Sequence, residues 1–294
     1  MFIAILHSMK KHLCICTADT DYYSIERFKE EAELLKIPVD IIPYADIYVS
    51  FDTTQINLSA HGNDLRAYSH FIFRHSKYMH AIRQLMAREI THAKILNKKL
   101  FTDRKGGGKL TKSIALLKAG IPIIPTRVAQ TRNILKETIH DMLAMYSRLI
   151  IKPSMGTHGK GIHIIDVTTD LDKLPELNEV YLVQPFIQAE FDVRILVLGG
   201  QIIGVTQRKT NQYEFHPNYS TRTEIQAMTL SEDVLQHAVN AAQELGMEYA
   251  GVDMIFDEKN NPYILEVNSS PEFQDEERYS GLNIARKILE HLLK

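Results

Sequence analysis

Asp253, Glu266 and Asn268 stand in a stretch that reads as two apolar strands, Tyr249 to Phe256 and Pro262 to Asn268, joined by the polar run Asp257-Glu-Lys-Asn-Asn261. A turn centred between Lys259 and Asn260 sets Asp253 directly opposite Glu266, with Cβ atoms about 5 Å apart. Two carboxylates facing each other in a largely apolar hairpin repel, unless one is protonated or a cation lies between them. Asn268 shares the face of Glu266, since strand side chains repeat every second residue. Three hard oxygen donors on one rigid hairpin suit magnesium when phosphate oxygens and water complete its octahedron. The plainer alternative is an ordinary surface strand with both acids in water. Val252, Ile255, Leu265 and Val267 populate both faces and weigh against it.

Basic and glycine-rich stretches supply what a metal-bound polyphosphate needs. Lys152 interrupts the apolar strand Arg148-Leu-Ile-Ile-Lys-Pro153, an unfavourable burial unless an anion pairs with it. The next stretch runs Ser154-Met-Gly-Thr-His-Gly-Lys-Gly161, and its Gly156, Thr157, His158, Gly159 and Gly161 form a turn whose N–H groups can cradle phosphate. A ligand-free flexible hairpin tip is the competing reading. Gly106-Gly-Gly-Lys109 lacks the Walker A spacing and a preceding strand, so it is not a P-loop. Lys109 nevertheless sits just before a helix, Thr111 to Lys118, from which it can reach phosphate. Tyr181 to Ile187 is a strand running into a connector, where the backbone of Gln184, Pro185 and Ile187 can read an adenine edge. Asp192-Val-Arg194 opens a strand that continues to Leu198 and pairs through Gly199-Gly200 with Gln201 to Thr206, closed by Arg208. A polar, aromatic loop, 210–223, carries Asn218.

These groups need a scaffold. The first hundred residues alternate strand and helix: Leu13 to Thr17, a helix Ile25 to Leu35 capped by Ser24, then strands Val39 to Pro43 and Ser69 to His75. Phe2 to Leu6 is either an extra strand or an alternative first one. In open sheets of this kind ligands gather beyond the carboxyl ends of the strands. Arg74 is therefore a candidate for gripping a substrate carboxylate, against the alternative of a surface arginine. Further helices are expected from Arg132 to Tyr146 and from Ser231, as its cap, to Leu245. Cys14 and Cys16 are too close in sequence for an unstrained disulfide and lack the spaced clusters of a soft-metal site, so they read as core thiols.

With 294 residues, 45% of them hydrophobic, the chain can bury a sizeable core in two or three domains. A formal net charge of −2 argues against general affinity for nucleic acid or anionic membrane. No apolar run is long enough to span a bilayer, and the amino-terminal residues lack a basic region and cleavage site. A cytoplasmic location is the default expectation.

Taken in order, Lys109, Lys152, the glycine-rich turn, Asp192-Val-Arg194, Arg208, Asn218, Asp253 and Glu266-Val-Asn268-Ser-Ser-Pro271 resemble the ATP-grasp superfamily, and within it the RimK-type ligases, which add glutamate or related amino acids to a carboxylate. The resemblance covers nearly the whole chain and is strongest from Lys109 to Leu293. It implies an α/β ATP-grasp fold: an N-terminal open α/β domain over 1–98, a central lobe over 99–184 and a C-terminal lobe over 185–294, the two lobes clasping ATP. Lys109 and Lys152 would then bind phosphates under a flap from Gly156 to Gly161. Gln184, Pro185 and Ile187 would form the adenine hinge, and Asp192 with Arg194 would lie on the ribose side. Asp253, Glu266 and Asn268 would hold a pair of magnesium ions, replaceable by manganese. Arg208, Asn218 and Asn268 would face the reacting centre, with Arg74 and Ser270 on the substrate side.

Two departures from the family pattern stand out. The hinge reads Gln184-Pro185 where Gln-Glu is usual, so it offers a carbonyl but no N–H at proline. His216 replaces a customary arginine. The resemblance implies an acyl-phosphate route with an amino acid and a carboxylate acceptor, free or in a peptide or protein, and a dimer or tetramer. An ATP-grasp kinase acting on a hydroxyl, or a non-catalytic nucleotide-binding regulator, are the alternatives from other classes.

Overall fold

Every residue of β1 (Leu13–Thr17) is buried, because both of its faces are covered. Cys14 and Cys16 point into one apolar cluster and Leu13 and Ile15 into another, the pattern of a central parallel strand. It lies between β2 (Val39–Pro43) and β6 (His70–Phe73), with β7 (Lys94–Ile95) beyond, all parallel. The two thiols are free, their sulfurs 3.6 Å apart. This is a computed structural model, and it describes residues 11–75, 79–103, 108–155, 161–174, 180–210 and 222–294. The strand considered at Phe2 to Leu6 lies outside them.

α1 (Tyr23–Leu34) links β1 to β2, starting two residues earlier than expected. Ser24 is not its cap. Its hydroxyl donates to Glu272, 2.5 Å away, a tertiary partner that local spacing could not reveal. β3 (Ile47–Phe51), β4 (Ile56–Ala60) and β5 (Asn63–Asp64) form a small antiparallel sheet. α2 (His80–Glu89) and α3 (Lys98–Thr102) follow.

α4 (Lys109–Lys118) leads into the second sheet, in which β8 (Arg127–Ala129), β9 (Arg148–Pro153), β10 (His163–Asp166) and β11 (Tyr181–Pro185) run in the order β10-β9-β11-β8. α5 (Arg132–Leu143), capped by Thr131, buries Leu135, Ile139 and Met142 against Leu149, Ile151 and Val183 of this sheet, a core of its own.

The third sheet has the order β14-β13-β12-β15-β16, built from β12 (Phe191–Leu198), β13 (Gln201–Thr210), β14 (Arg222–Ala227), β15 (Tyr249–Phe256) and β16 (Pro262–Asn268). α6 (Glu232–Glu244), α7 (Gln274–Ser280) and α8 (Ile284–Leu292) cover it. Ser231 occupies the cap position of α6, but its side chain makes no cap bond. The third sheet shares its core with the first: Phe71, Phe101, Leu116, Val193, Ala238 and Met254 belong to one cluster. The second sheet is therefore a separate packed body against a joint first-and-third body. No helix among the described residues is long and apolar enough to cross a membrane.

The acid hairpin forms with one local change. Phe256 pairs with Pro262, which centres the turn on Lys259 rather than after it, with Asn260 in the left-handed region at φ 62°. A bulge at Leu265 restores the register, so Asp253 still faces Glu266.

Candidate active site

Cross-strand register builds a row of charge across the third sheet. Asp192 of β12 pairs with Arg208 of β13, and Arg194 of β12 pairs with Asp253 of β15, which in turn faces Glu266 of β16. Arg194 grips Asp253 in bidentate fashion, Nε and Nη2 each 2.8 Å from a carboxylate oxygen. Arg208 reaches both acids: it bonds Asp192 through Nε and Nη2, and its Nη2 lies 3.0 Å from Asp253 Oδ1. β13 runs four residues past its expected end, and this extension brings Arg208 into the ladder. Burial works against the Arg208 cation, but Asp253 and Asp192 outweigh it and hold the guanidinium above its ordinary range. Arg208 is fully buried. It ties Asp192 to Asp253, and its Nη1 has no hydrogen-bond partner among the described residues.

On the other side, α4 lies across the seam between the second and third sheets. Lys109 N–H donates to Ser154 O at the end of β9 (3.0 Å), and Lys112 Nζ donates to Val267 O of β16 (2.8 Å). Gly108 makes the first contact sterically feasible, since a Cβ there would stand 2.9 Å from Ser154 O and 2.6 Å from Met155 Sδ. Lys152, on β9 opposite Leu182, is half-buried. Burial first, then the adjacent Lys109 charge, push its pKa down to about 8, while Glu266 pulls the other way. Lys112 is likewise lowered, by burial and by Lys109, against Glu266. Lys112 and Lys152 thus both feel the exposed Glu266, and Lys109 lies near enough to act on both of them. Lys112 was missed in the sequence, although it sits one helical turn after Lys109, on the same face.

The hinge strand ends at Pro185. The buried Gln184 side chain donates to Thr126 Oγ1 (2.7 Å), which turns it away from a ligand, and Phe186 N–H donates to Arg148 O (2.9 Å). Ile187 follows half-buried. Arg74 lies elsewhere than expected. Only 1% exposed, its guanidinium donates to Glu272, Ser24 and Pro271 O, so it clamps the first sheet to the loop after β16 and has no open face for a substrate carboxylate. Ser270 Oγ accepts from His75 N–H (3.3 Å) in the same clamp. Gly161 is described, in the left-handed region at φ 76°. Gly156, Thr157, His158, Gly159, His216 and Asn218 lie outside the described residues.

The donor set fits magnesium with one condition. Among the described residues no three His, Cys, Asp or Glu side chains come together, so the third oxygen must come from Asn268. Asn268 Oδ1 accepts from Ser270 N–H at 2.9 Å, which orients the amide and leaves the oxygen a second lone pair. Glu266 is exposed beside it. Asp253 is held through both oxygens by Arg194 and through Oδ1 by Arg208.

A seam between two α/β bodies, lined by lysines on one side and an acid hairpin on the other, defines a nucleotide-dependent phosphoryl-transfer enzyme of the clasping type. The model of the RimK-like ATP-grasp domain matches residues 108–292, and the chain belongs to that family of ATP-grasp ligases, which bind ATP with magnesium. Relatives include a probable alpha-L-glutamate ligase of Psychromonas ingrahamii, 27% identical over 290 residues and covering 96% of this chain and 95% of the relative. One from Legionella pneumophila, of the same description, is 27% identical over 293 residues with the same coverage. Among solved structures, the ATP-grasp ligase PsnB complexed with a minimal precursor aligns with TM-score 0.75 at 18% identity, over 97% of this chain and 99% of PsnB. The macrocyclase MdnC of Microcystis aeruginosa, bound with its precursor peptide MdnA, aligns with TM-score 0.72 at 19% identity, over 96% and 99%.

Proposed function

We propose that the chain joins the amino group of glutamate, or a closely similar amino acid, to a substrate carboxylate through an acyl phosphate. The gathering of Lys109, Lys112 and Lys152 at one seam carries this reading: three cations, two of them facing Glu266, match a bound polyphosphate. The description of the curated relatives as probable alpha-L-glutamate ligases supports glutamate. The peptide complexes of PsnB and MdnC support a peptide or protein as the carboxylate partner.

A carboxylate is a poor electrophile, so one of its oxygens first attacks the γ-phosphorus of ATP while the bond to the β,γ-bridging oxygen breaks and ADP leaves. The amine then adds to the carbonyl carbon, the carbon–oxygen bond to phosphate breaks, and phosphate and a proton depart. Lys109 and Lys152 neutralise the transferring phosphoryl oxygens, and Lys112 holds α4 to β16 so that both stay in place. Glu266 and Asn268, with Asp253, would hold magnesium, which supplies Lewis-acid charge to the phosphates when bound. A second ion and replacement by manganese extend the same reading. Pro185 and Ile187 read adenine through the backbone, Asp192 and Arg194 brace the ribose side, and 156–161 cover the phosphates. Arg208, Asn218 and Asn268 stay assigned to the reacting centre. The divisions 1–98, 99–184 and 185–294 are retained, with α4 as the element that bridges the last two. A dimer or tetramer and a cytoplasmic location complete the proposal.

Hydroxylamine added with ATP, magnesium and acidic peptides tests the route. A hydroxamate with stoichiometric phosphate release is expected, and Glu266→Gln should abolish both with the fold intact. A phosphorylated hydroxyl product without hydroxamate would replace the ligase by a kinase.

A further inference from the structure

Three arginines are buried among the described residues: Arg74, Arg83 and Arg208. Two are answered by carboxylates, Arg74 by Glu272 and Arg208 by Asp192 and Asp253. Arg83, on α2 and 4% exposed, faces none among the described residues. Its Nη2 lies 2.7 Å from His80 Nδ1, its guanidinium carbon stands 4.9 Å above the Phe101 ring, and its Nε has no partner. The buried Tyr44 hydroxyl beside it also lacks one. A buried guanidinium without an anion is a large unfavourable term, and burial indeed lowers its pKa. Because arginine does not deprotonate in proteins, a ligand that brings an anion would answer this charge.

The surroundings say where that ligand sits. Phe101, under the Arg83 guanidinium, and Met86 of α2 share one core cluster with Leu116 of α4, the helix that carries Lys112, and Lys112 feels the Arg83 charge. Lys109 and Lys152 already face the phosphate position, and Arg83 adds positive charge beyond what they supply. His80 accepts from Arg83 in its neutral form, which partial desolvation of the ring and the Arg83 charge both favour, while the residue keeps an exposed side. An entering anion need only displace an exposed, uncharged imidazole to reach the guanidinium.

We propose that Arg83, with the Tyr44 hydroxyl behind it and Lys112 beside it, forms a carboxylate subsite that holds the non-reacting side-chain carboxylate of an acidic amino-acid substrate. This rests on the ligase reading and assigns its amino-acid specificity to α2 of the first sheet's body. Arg83 binds and orients; no bond is made or broken at it.

The test uses the full chain with magnesium and the ATP analogue AMPPNP, titrated calorimetrically with L-glutamate and with L-glutamine. Wild type should prefer L-glutamate by about 30-fold, the scale of one charge-assisted hydrogen-bonded pair. Arg83→Met should erase that preference while AMPPNP affinity and ligand-free melting temperature are held or improved, because an unpaired buried charge is removed. Tyr44→Phe, which deletes only an unpartnered hydroxyl, should weaken L-glutamate several-fold and leave melting unchanged. Equal affinity of wild type for the two amino acids, or no binding of either, overturns the subsite. So does unaltered L-glutamate binding in either variant, or loss of AMPPNP binding in Arg83→Met, which would make the anion a phosphate. Hydroxamate formation that survives any of these results leaves the ligase reading standing. L-Glutamate preference without hydroxamate overturns the ligase reading alone.

Discussion

Arg74 Nη2 lies 2.6 Å from Glu272 Oε1, joining the end of β6 to the loop after β16 across 198 residues of chain. The same carboxylate accepts from Ser24 Oγ and from His75 Nε2 (2.7 Å). One acid therefore ties the first sheet to the loop that follows Glu266 and Asn268. Within that loop, Pro271 packs so closely over β15 that a Cβ on Gly251 would meet it at 2.7 Å.

Glu272 should make the fold acid-labile. Burial tends to raise its pKa, but the hydrogen bond from His75 and the Arg74 charge bring it down to about 2. A depressed carboxyl contributes stability that is complete above its unfolded pKa and is lost as pH falls through the folded value. With 31% of the side chain exposed, screening reduces the contribution to about 2 kcal/mol. Urea unfolding should show Glu272→Gln less stable than wild type at pH 7, with the two curves converging as pH falls from about 4.5 towards 2. Curves that stay parallel would remove Glu272 as the cause.

Lys152 predicts an alkaline limb of nucleotide affinity. Its pKa is pushed down to about 8, by burial and then by Lys109, so the ammonium is charged below that pH and neutral above it. AMPPNP affinity should fall as pH rises through about 8 and plateau below it. Lys152→Arg should flatten the limb, and Lys152→Met should weaken binding at pH 7 by about 10-fold or more. A limb unchanged in Lys152→Arg assigns the titration to another group.

Arg208→Ala should destabilise the protein by about 3–5 kcal/mol, because it strips Asp192 of this cation and leaves Asp253 to Arg194. That outcome differs from what a residue at the reacting centre would give, namely normal stability with lost turnover. The denaturation midpoint separates the two. An unchanged midpoint with lost turnover would leave Arg208 a direct role alone.

Gly108→Ala should displace the first turn of α4. The added methyl group would lie 2.9 Å from Ser154 O and 2.6 Å from Met155 Sδ, an overpacking of about 1–3 kcal/mol. Because Lys109 follows immediately, AMPPNP affinity should drop together with the melting temperature. A loss of stability without a loss of affinity would uncouple Gly108 from the phosphate site.

Local spacing determined what short segments can decide by themselves. The pairing of Asp253 with Glu266 is readable because a hairpin's register follows from its turn, and even a turn shifted by half a residue is corrected by a bulge at Leu265. Lys152 stands out because it breaks an apolar strand, and the strand Arg148–Pro153 forms over the residues expected. The roles of Arg74, Arg208 and Arg83 were not readable in this way. A buried cation is defined by the anion that meets it, and those anions arrive from distant segments: Glu272 for Arg74, Asp253 for Arg208, and for Arg83 none among the described residues. Tertiary packing alone brought α4 across the seam, where Lys112 reaches Val267 155 residues away. Helix periodicity specifies which face a lysine occupies, whereas the strand that face meets depends on how the three larger sheets close around three cores.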